Sequence, residues 1–337
     1  MSSGSEASAG ADLAFGVDIG GTKVLGVAVD ARGQIVAESR VPTPTGPVRA
    51  GEEGVAVAAA VAEVVGELHS LSSADEPGSV PVGVGVPGML TRQGRLQFSP
   101  NLPQGRGVDW NELLRQHLPG RRVEVENDAN VAALAEHRLG AAKGYDHAVV
   151  VTLGTGIGGG LIVDGRVQAG AHGFAGEIGH MVVDPAGPPC PCGRRGCWER
   201  YASGAGLGLL AREAALAGEL PDVVARAGGD PERVRGEDVT AAAHDGDAGA
   251  RLVLAQVGWW VGFGLANLAC VTDPECFVVG GGLVAAGEVL LNSACQAFAD
   301  LVEGGDMRPQ TAIVAAAFGD RAGAVGAALA VRAGGLW

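Results

Sequence analysis

A diverged internal repeat restricts the fold of this chain more than any other feature of its sequence. Phe15-Gly16-Val17-Asp18-Ile19-Gly20-Gly21-Thr22-Lys23 continues into Val24-Leu25-Gly26-Val27-Ala28-Val29-Asp30. Much later, Val149-Val150-Val151-Thr152-Leu153-Gly154-Thr155-Gly156 continues through Ile157–Gly160 into Leu161-Ile162-Val163-Asp164-Gly165. Each copy is an apolar run of strand type, a glycine turn, a second apolar run and a closing aspartate near a glycine. The step from Asp18 to Asp30 equals the step from Thr152 to Asp164. Two strand–turn–strand units at matched spacing predict two α/β domains of common design, and 337 residues suffice for a core in each.

Periodicity fills in the rest. Glu52–Leu71 reads as an amphipathic helix, Val80–Val86 as a buried strand ending at Pro87-Gly88, and Val123-Glu124-Val125 as a short strand leading into Glu126-Asn127-Asp128. Asn130–Leu139 reads as a helix, as do Ser203–Ala217, Asp238–His244 and Asp247–Val271. A strand at Cys276–Val279, the triplet Gly280-Gly281-Gly282, a helix over Glu288–Leu301, a strand at Ala312–Ala315 and a last helix from Arg321 to about Arg332 follow. The expected organisation is a disordered tail over 1–12, a small α/β domain over 13–127 completed by a C-terminal helix at about 321–337, and a large α/β domain over 128–320 that contains the loop 180–199.

Composition excludes several classes. Nearly half the residues are apolar and charged ones are sparse, which marks a folded chain. A net charge of −14 without Lys/Arg clusters argues against nucleic acid as a partner. Residues 1–12 have no basic n-region and no apolar h-region, so they do not read as a signal peptide. The uncharged run Leu252–Thr272 is interrupted by Gln256, Asn267 and glycines, and lacks a basic flank; it reads as a buried core helix rather than a membrane span. Cys270, Cys276 and Cys295 fall in apolar segments and read as buried inert thiols. Without a secretory signal a disulfide reading of the other cysteines is weak, and the expected location is the cytoplasm.

Those other cysteines form the most specific chemical signal. Cys190, Cys192 and Cys197 lie a short way after Gly176-Glu177-Ile178-Gly179-His180. Three thiolates and one imidazole fill a tetrahedral zinc shell, and a shell filled entirely by protein is structural. Glu177 and Glu199 frame this loop, so a metal that ties it down also fixes two hydroxyl acceptors in space.

The glycine loops are less specific. Asp18-Ile19-Gly20-Gly21-Thr22-Lys23 can present backbone N–H groups to an anion, with Asp18 able to hold water or Mg²⁺; a plain hairpin turn is the alternative. Gly154-Thr155-Gly156-Ile157-Gly158-Gly159 satisfies G-x-G-x-x-G but runs on as a strand, where a dinucleotide fingerprint would open a helix. Gly280-Gly281-Gly282 could let an adenosine lie against bare backbone. Asn127-Asp128 could equally be a helix N-cap.

Taken in order, the D-I-G-G-T-K turn, the E-N-D-A-N segment, the L-G-T-G-I-G-G loop, the G-E-I-G-H box and the C-x-C-G-x-x-G-C-x-E box resemble the ROK family of sugar kinases, from about Phe15 to the C-terminus. The resemblance is closest to actinobacterial ATP-dependent glucokinases. It implies the two-domain actin-like, ribonuclease H-like fold of the hexokinase–actin–Hsp70 superfamily, with an active-site cleft between the domains. It implies Asp128 as general base toward the sugar 6-hydroxyl. Gly88, Asn127, Asp128, Glu177, His180 and Glu199 would be sugar contacts, and His180, Cys190, Cys192 and Cys197 the structural zinc ligands. Asp18, Gly20, Gly21, Thr22, Lys23, Gly154, Thr155 and Gly156 would surround the ATP phosphates, and Gly280, Gly281 and Gly282 the adenosine. ATP with Mg²⁺ and glucose are the implied reactants of a glycolytic transferase, and a homodimer or homotetramer the implied assembly. Rival readings are a kinase for fructose, mannose, N-acetylglucosamine or N-acetylmannosamine, and a sugar-binding repressor-like sensor. Against the sensor, only fourteen residues precede Phe15, the expected tail over 1–12 among them. A polyphosphate-using kinase is disfavoured by the zinc box.

Overall fold

The computed structural model describes residues 13–47, 49–72 and 78–336; the expected tail over 1–12 lies outside the described residues. In chain order the strands are β1 (Ala14–Ile19), β2 (Lys23–Val29), β3 (Ile35–Pro42), β4 (Val82–Val86), β5 (Met89–Leu90), β6 (Leu96–Phe98), β7 (Val123–Asn127), β8 (Ala148–Leu153), β9 (Ile157–Val163), β10 (Arg166–Val167), β11 (Cys276–Gly280) and β12 (Ala312–Ala315). The α-helices are α1 (Val55–Ser72), α2 (Trp110–His117), α3 (Asp128–Leu139), α4 (Glu199–Ala202), α5 (Gly204–Leu216), α6 (Pro221–Arg226), α7 (Gly236–His244), α8 (Ala248–Thr272), α9 (Glu288–Leu301) and α10 (Ala322–Ala333).

The chain forms two compact units. The first takes Met1–Gly140, Val167–Ala175 and Arg321–Trp337, and the second takes Ala141–Arg166 and Gly176–Asp320. Their main sheets have the same plan, β3-β2-β1-β4-β7 in one and β10-β9-β8-β11-β12 in the other. In the first, β1 pairs antiparallel with β2 and parallel with β4, which pairs parallel with β7. In the second, β8 pairs antiparallel with β9 and parallel with β11, which pairs parallel with β12. The repeat read from the sequence is therefore the hairpin that starts each sheet, and Asp18 in one hairpin corresponds to Thr152 in the other.

In the first unit the sheet buries Phe15, Val17, Val82 and Val84 against Val57, Val61, Val64 and Leu68 of α1. The C-terminal helix α10 belongs to the same unit and sits very close to β1 and β4. A methyl group placed on Gly16 would overlap the backbone of Ala324, and one on Gly83 the backbone of Ala327. Gly326 of α10 lies as tightly against the backbone of Val131 in α3. Val131 and Leu134 then pack with Ala327 and Ala330. The division thus differs from the expected boundary after 127: α3 stays with the first unit because its apolar side is shared with α10.

In the second unit α8 is the central helix, buried through Val253, Leu254, Val257, Val261 and Leu265. Asp247 caps it by accepting from the Ala250 N–H at 2.6 Å, and Asp273 ends it in the left-handed conformation. Gly258 and Gly262 let α9 approach through Leu290 and Ala294, and Gly264 seats the Trp198 ring. Two helices, Val55–Ser72 and Ala248–Thr272, are long and apolar enough to cross a membrane by length and composition, but α8 turns most of its surface to the core. The other face carries Leu252, Trp259 and Val271 exposed.

Two of the three cysteines expected to be buried are not. Cys270 and Cys295 are exposed, on the outer faces of α8 and α9, because an apolar helix still has an outer side. Cys276 is buried in β11, and burial beside Glu275 pushes its thiol up to about 11.

Glycine does opposite work at different sites, which gives a test by chemical denaturation. Gly16→Ala should cost about 3 kcal/mol or prevent folding, because backbone blocks the new methyl group. Gly66→Ala, on the exposed side of α1 with open space around it, should gain up to about 1 kcal/mol from helix propensity.

Candidate functional site

In parallel α/β sheets functional residues gather at the carboxyl ends of the strands. In the first unit those ends are Asp18-Ile19 of β1, Gly88 just past β4, and Asn127-Asp128 at the junction of β7 and α3. Register places Asp18, Gly85 and Glu126 in one row across β1, β4 and β7.

The turn after β1 is braced from β3. The Gly20 N–H donates to the Lys23 carbonyl at 2.9 Å, the Thr43 hydroxyl donates to the Gly20 carbonyl at 2.7 Å, and the Thr43 N–H donates to the Thr22 carbonyl at 3.0 Å. Gly21 and Thr22 remain exposed at its tip, where backbone can meet an anion. Past β4, Gly88 has a φ of 107°, and a side chain there would overlap Phe98 and Ser99.

Asn127 ties these pieces together. Its Nδ2 donates to the Gly88 carbonyl at 3.0 Å, while its Oδ1 accepts from the Asn130 N–H at 2.9 Å and caps α3. The N-cap reading holds for Asn127, whose amide also ties down the Gly88 loop. Asp128 is the first helical residue and accepts from the Ala129 N–H at 2.8 Å. Burial raises its carboxyl to about 7, the negative charge of Asp18 adds to the effect, and backbone hydrogen bonds oppose it. A carboxyl poised near neutrality at the carboxyl ends of the strands suits proton abstraction.

In the second unit the matching turn, Gly154-Thr155-Gly156, links β8 and β9 as a hairpin, so the G-x-G-x-x-G match opens no helix. Its carbonyls are held by the start of α5: the Gly204 N–H donates to Gly154 at 2.8 Å and the Ala205 N–H to Thr155 at 3.2 Å. Gly281, at φ 89°, lies against the backbone of Leu153, the residue that precedes this turn. The structure therefore brings the Gly154–Gly156 and Gly280–Gly282 loops together.

The cysteine box folds on itself through backbone bonds from Cys190 N–H to the Arg194 carbonyl (2.8 Å) and from Gly193 N–H to the Cys190 carbonyl (3.0 Å). The ligand atoms of His180, Cys190, Cys192 and Cys197 all lie within 4.8 Å of one another. Cys192 Sγ is 3.6 Å from Cys197 Sγ, and Cys190 Sγ is 3.8 Å from His180 Nδ1. Two thiolates on one tetrahedral zinc stand about 3.8 Å apart, so the set fits that ion. Burial pushes the Cys190 and Cys197 thiols up, a cost that a divalent cation among them would remove. His180 turns Nδ1 to this cluster and Nε2 toward Glu177 Oε2, 3.9 Å away. Glu199 Oε1 is 3.1 Å from Cys190 Sγ. A methyl group on Gly156 would stand 2.5 Å from Glu199 Oε2, so this carboxylate lies between the cysteine cluster and the β8–β9 turn.

Trp198, between Cys197 and Glu199 in this box, is fully buried and donates its indole N–H to the Trp260 carbonyl at 2.7 Å; it is core.

Three residues escaped the sequence reading. Asn101 lies beside Gly21. Gly85 lies between Asp18 and Asp128. Glu126 is buried, and its Oε1 accepts from the Leu336 N–H at 2.9 Å, so the end of the chain is fastened next to Asn127-Asp128. Its carboxyl rises to about 7 from burial, opposed by the Leu336 bond and reinforced by Glu124. The E-N-D-A-N motif displayed Glu126, but only the position of the C-terminus reveals what it holds.

Two sheets of the same plan, each opened by a hairpin with a glycine turn, are the fold of the actin-like sugar kinases. The chain belongs to the ROK family, whose model matches residues 14–333. It is 39% identical to the glucokinase of Streptomyces coelicolor over 323 residues, covering 94% of this chain and 96% of that protein. The crystal structure of a ROK family glucokinase from Streptomyces griseus in complex with glucose and AMPPNP matches with a TM-score of 0.80 and 36% identity, over 94% of this chain and 98% of that one. The ROK hexokinase of Thermus thermophilus matches with a TM-score of 0.73 and 34% identity, over 94% and 97%.

Glu126 yields a test whose sign is fixed. Its folded-state carboxyl binds a proton up to about pH 7, whereas in the unfolded chain it ionises near pH 4.3, so stability falls as pH rises through that window. Glu126→Gln keeps an acceptor for Leu336 and has nothing to ionise. Urea unfolding should show the variant gaining about 1–3 kcal/mol on wild type between pH 4 and pH 8, with no gain below pH 4.

Proposed function

We propose that this chain is a glucokinase that transfers the γ-phosphoryl group of ATP to the 6-hydroxyl of glucose. The observation that carries this reading is Asp128: a carboxyl raised to about 7, at the head of α3, beside an Asn127 side chain locked to Gly88. The similarity to Streptomyces glucokinases, including one crystallised with glucose and AMPPNP, supports the choice of sugar and donor.

In this reading Asp128 accepts the 6-hydroxyl proton as the sugar oxygen forms its bond to the γ-phosphorus and ADP departs. Phosphoryl transfer has a loose transition state, so the protein contributes mainly position and charge. Asn127 and Gly88 hold the sugar near the base, and Glu177, His180 and Glu199 read its other hydroxyls. A buried acceptor left unpaired by the wrong epimer is costly, which is the source of discrimination. Gly20, Gly21, Thr22 and Lys23 with Gly154, Thr155 and Gly156 would meet the phosphates, Asp18 would hold Mg²⁺, which offsets the phosphate charge, and Gly280–Gly282 would meet the adenosine. Zinc held by His180, Cys190, Cys192 and Cys197 would lock the loop that carries Glu177 and Glu199, and would fix the His180 ring with Nε2 toward the sugar. We place the protein in the cytoplasm, where ATP and reduced thiols coexist. We read it as a homodimer or homotetramer, which would cover Leu252, Trp259 and Val271.

A coupled assay across glucose, mannose, fructose, N-acetylglucosamine and N-acetylmannosamine tests the function. The kcat/KM for glucose should exceed the others by about a hundredfold; equal or better use of an N-acetylated sugar overturns the substrate. Asp128→Asn should lower kcat by about 10³-fold or more with glucose affinity little changed. The wild-type kcat/KM should decline on the acid side of about pH 7, as the base becomes protonated. Metal analysis should find one zinc per chain, and Cys192→Ala should lose it and raise the KM for glucose at least about tenfold.

A further inference from the structure

The C-terminal helix α10 begins directly against Asp18. A methyl group on Gly323 would stand 2.6 Å from Asp18 Cγ and 2.8 and 2.9 Å from its two carboxylate oxygens. From another side, a methyl group on Gly85 would stand 3.3 Å from Asp18 Oδ1 and 3.4 Å from Asp128 Cα. Asp18 is thus enclosed by two backbone surfaces that carry no side chains, one from β4 and one from α10.

Gly323 differs from the other glycines of this interface in what it touches. Gly16, Gly83 and Gly326 each meet backbone of a neighbouring element, so a side chain there would separate helix from sheet or helix from helix. Only carboxylate atoms of Asp18 stand among the nearest neighbours of Gly323. Gly323 has no positive φ that would require glycine, and a helix ordinarily prefers alanine at such a place. Its lack of a side chain therefore serves Asp18 rather than the helix.

We propose that Gly323 is a positioning residue for Asp18: the open space above it at the first turn of α10 fixes where the Asp18 carboxylate stands. The inference rests on the kinase reading, in which that carboxylate meets the cation of ATP·Mg²⁺. Asp18 is joined through β1 to the Gly20–Lys23 turn, and its charge reaches Asp128. A displaced carboxylate therefore disturbs the metal–nucleotide side of the reaction first and leaves the sugar contacts of Asn127 and Gly88 in place.

The test is a double-mutant cycle over Gly323→Ala and Asp18→Asn, with Gly66→Ala as a helix-propensity control. Gly323→Ala is expected to lower kcat/KM for ATP·Mg²⁺ at least tenfold while the KM for glucose stays within twofold and Tm is not reduced. In the Asp18→Asn background the same change should cost less than twofold, because the group it acts through is already impaired. If Gly323→Ala lowers Tm, Asp18→Ala should restore it by removing the whole clashing carboxyl group, Cγ included. Full activity in Gly323→Ala, equal losses in both backgrounds, or a lowered Tm that Asp18→Ala leaves unrestored would each overturn the proposal. Wild-type turnover is measured first, so absence of any kinase activity would count against the function itself. Calorimetry of Mg²⁺·AMPPNP on wild type, Gly323→Ala and Asp18→Asn then tests Gly323 separately, with weakened binding expected in both variants and unchanged binding in Gly323→Ala contradicting the inference.

Discussion

The placement of the candidate site residues in the first unit depends on backbone-to-backbone contact between α10 and the sheet. Helices normally rest on sheets through a layer of side chains, whose rotamers can absorb small displacements. Here that layer is missing where Gly16 and Gly83 meet Ala324, Ala327 and Ala328. The helix has one position it can occupy, and α3 inherits that rigidity through Gly326 and Val131. Because α3 starts at Asp128, the site of the carboxylate with the raised pKa is set by a helix nearly two hundred residues further along the chain. Closing so long a loop adds little entropy cost beyond that of a shorter one, since the cost grows only with the logarithm of length.

The two sheets show how one plan can carry two kinds of chemistry. Asp18 opposes Gly85 in the first, and at the corresponding place Thr152 opposes Gly280 in the second. Both pairs retain glycine on the parallel neighbour, which leaves room at the strand end, yet only the first keeps a carboxylate. The second unit gathers its candidate site residues in the loop 177–199, which contains little regular structure beyond a short 3-10 turn at Ile178–His180. Backbone bonds from Val183 to Gly196 and from Trp198 to Met181 tie this loop, and in the proposed reading a metal among His180, Cys190, Cys192 and Cys197 would fasten it further. Glu199 shows the consequence, reaching from the cysteine cluster to the β8–β9 turn.

Much of this was legible from residue order. The strand–turn–strand repeat gave both hairpins, and the apolar runs gave β4, β11, β12, α8 and α9 to within a few residues, because long periodic segments carry strong signals. The decoy G-x-G-x-x-G was resolved by the strand that follows it. Less legible were short elements such as β5, β6 and α2, whose existence depends on tertiary contacts rather than on their own pattern. The thiols at Cys270 and Cys295 were misplaced because composition says a helix is apolar without saying which side faces outward. The association of α3 with the first unit was hidden for a related reason. Ala-Gly-Ala-Val-Gly-Ala-Ala-Leu-Ala announces close packing but not the partner.

In the proposed reading, stability and function pull in different directions at the cluster around Asp128. Asp128 and Glu126 are both raised to about 7, with Asp18 and Glu124 adding like charge nearby. At neutral pH these groups destabilise the folded state, since an unfolded chain would let each carboxyl ionise freely in water. Backbone N–H groups, from Ala129 to Asp128 and from Leu336 to Glu126, offset part of that cost. A fold optimised only for stability would place amides or apolar side chains in these positions. Retaining acids there makes sense when one of them must remain basic enough to take a proton near pH 7, a property that burial confers and that exposure to water would remove. The tightly seated α10 is then the structural counterpart of this electrostatic strain: like charges are kept at fixed separations by backbone that cannot yield.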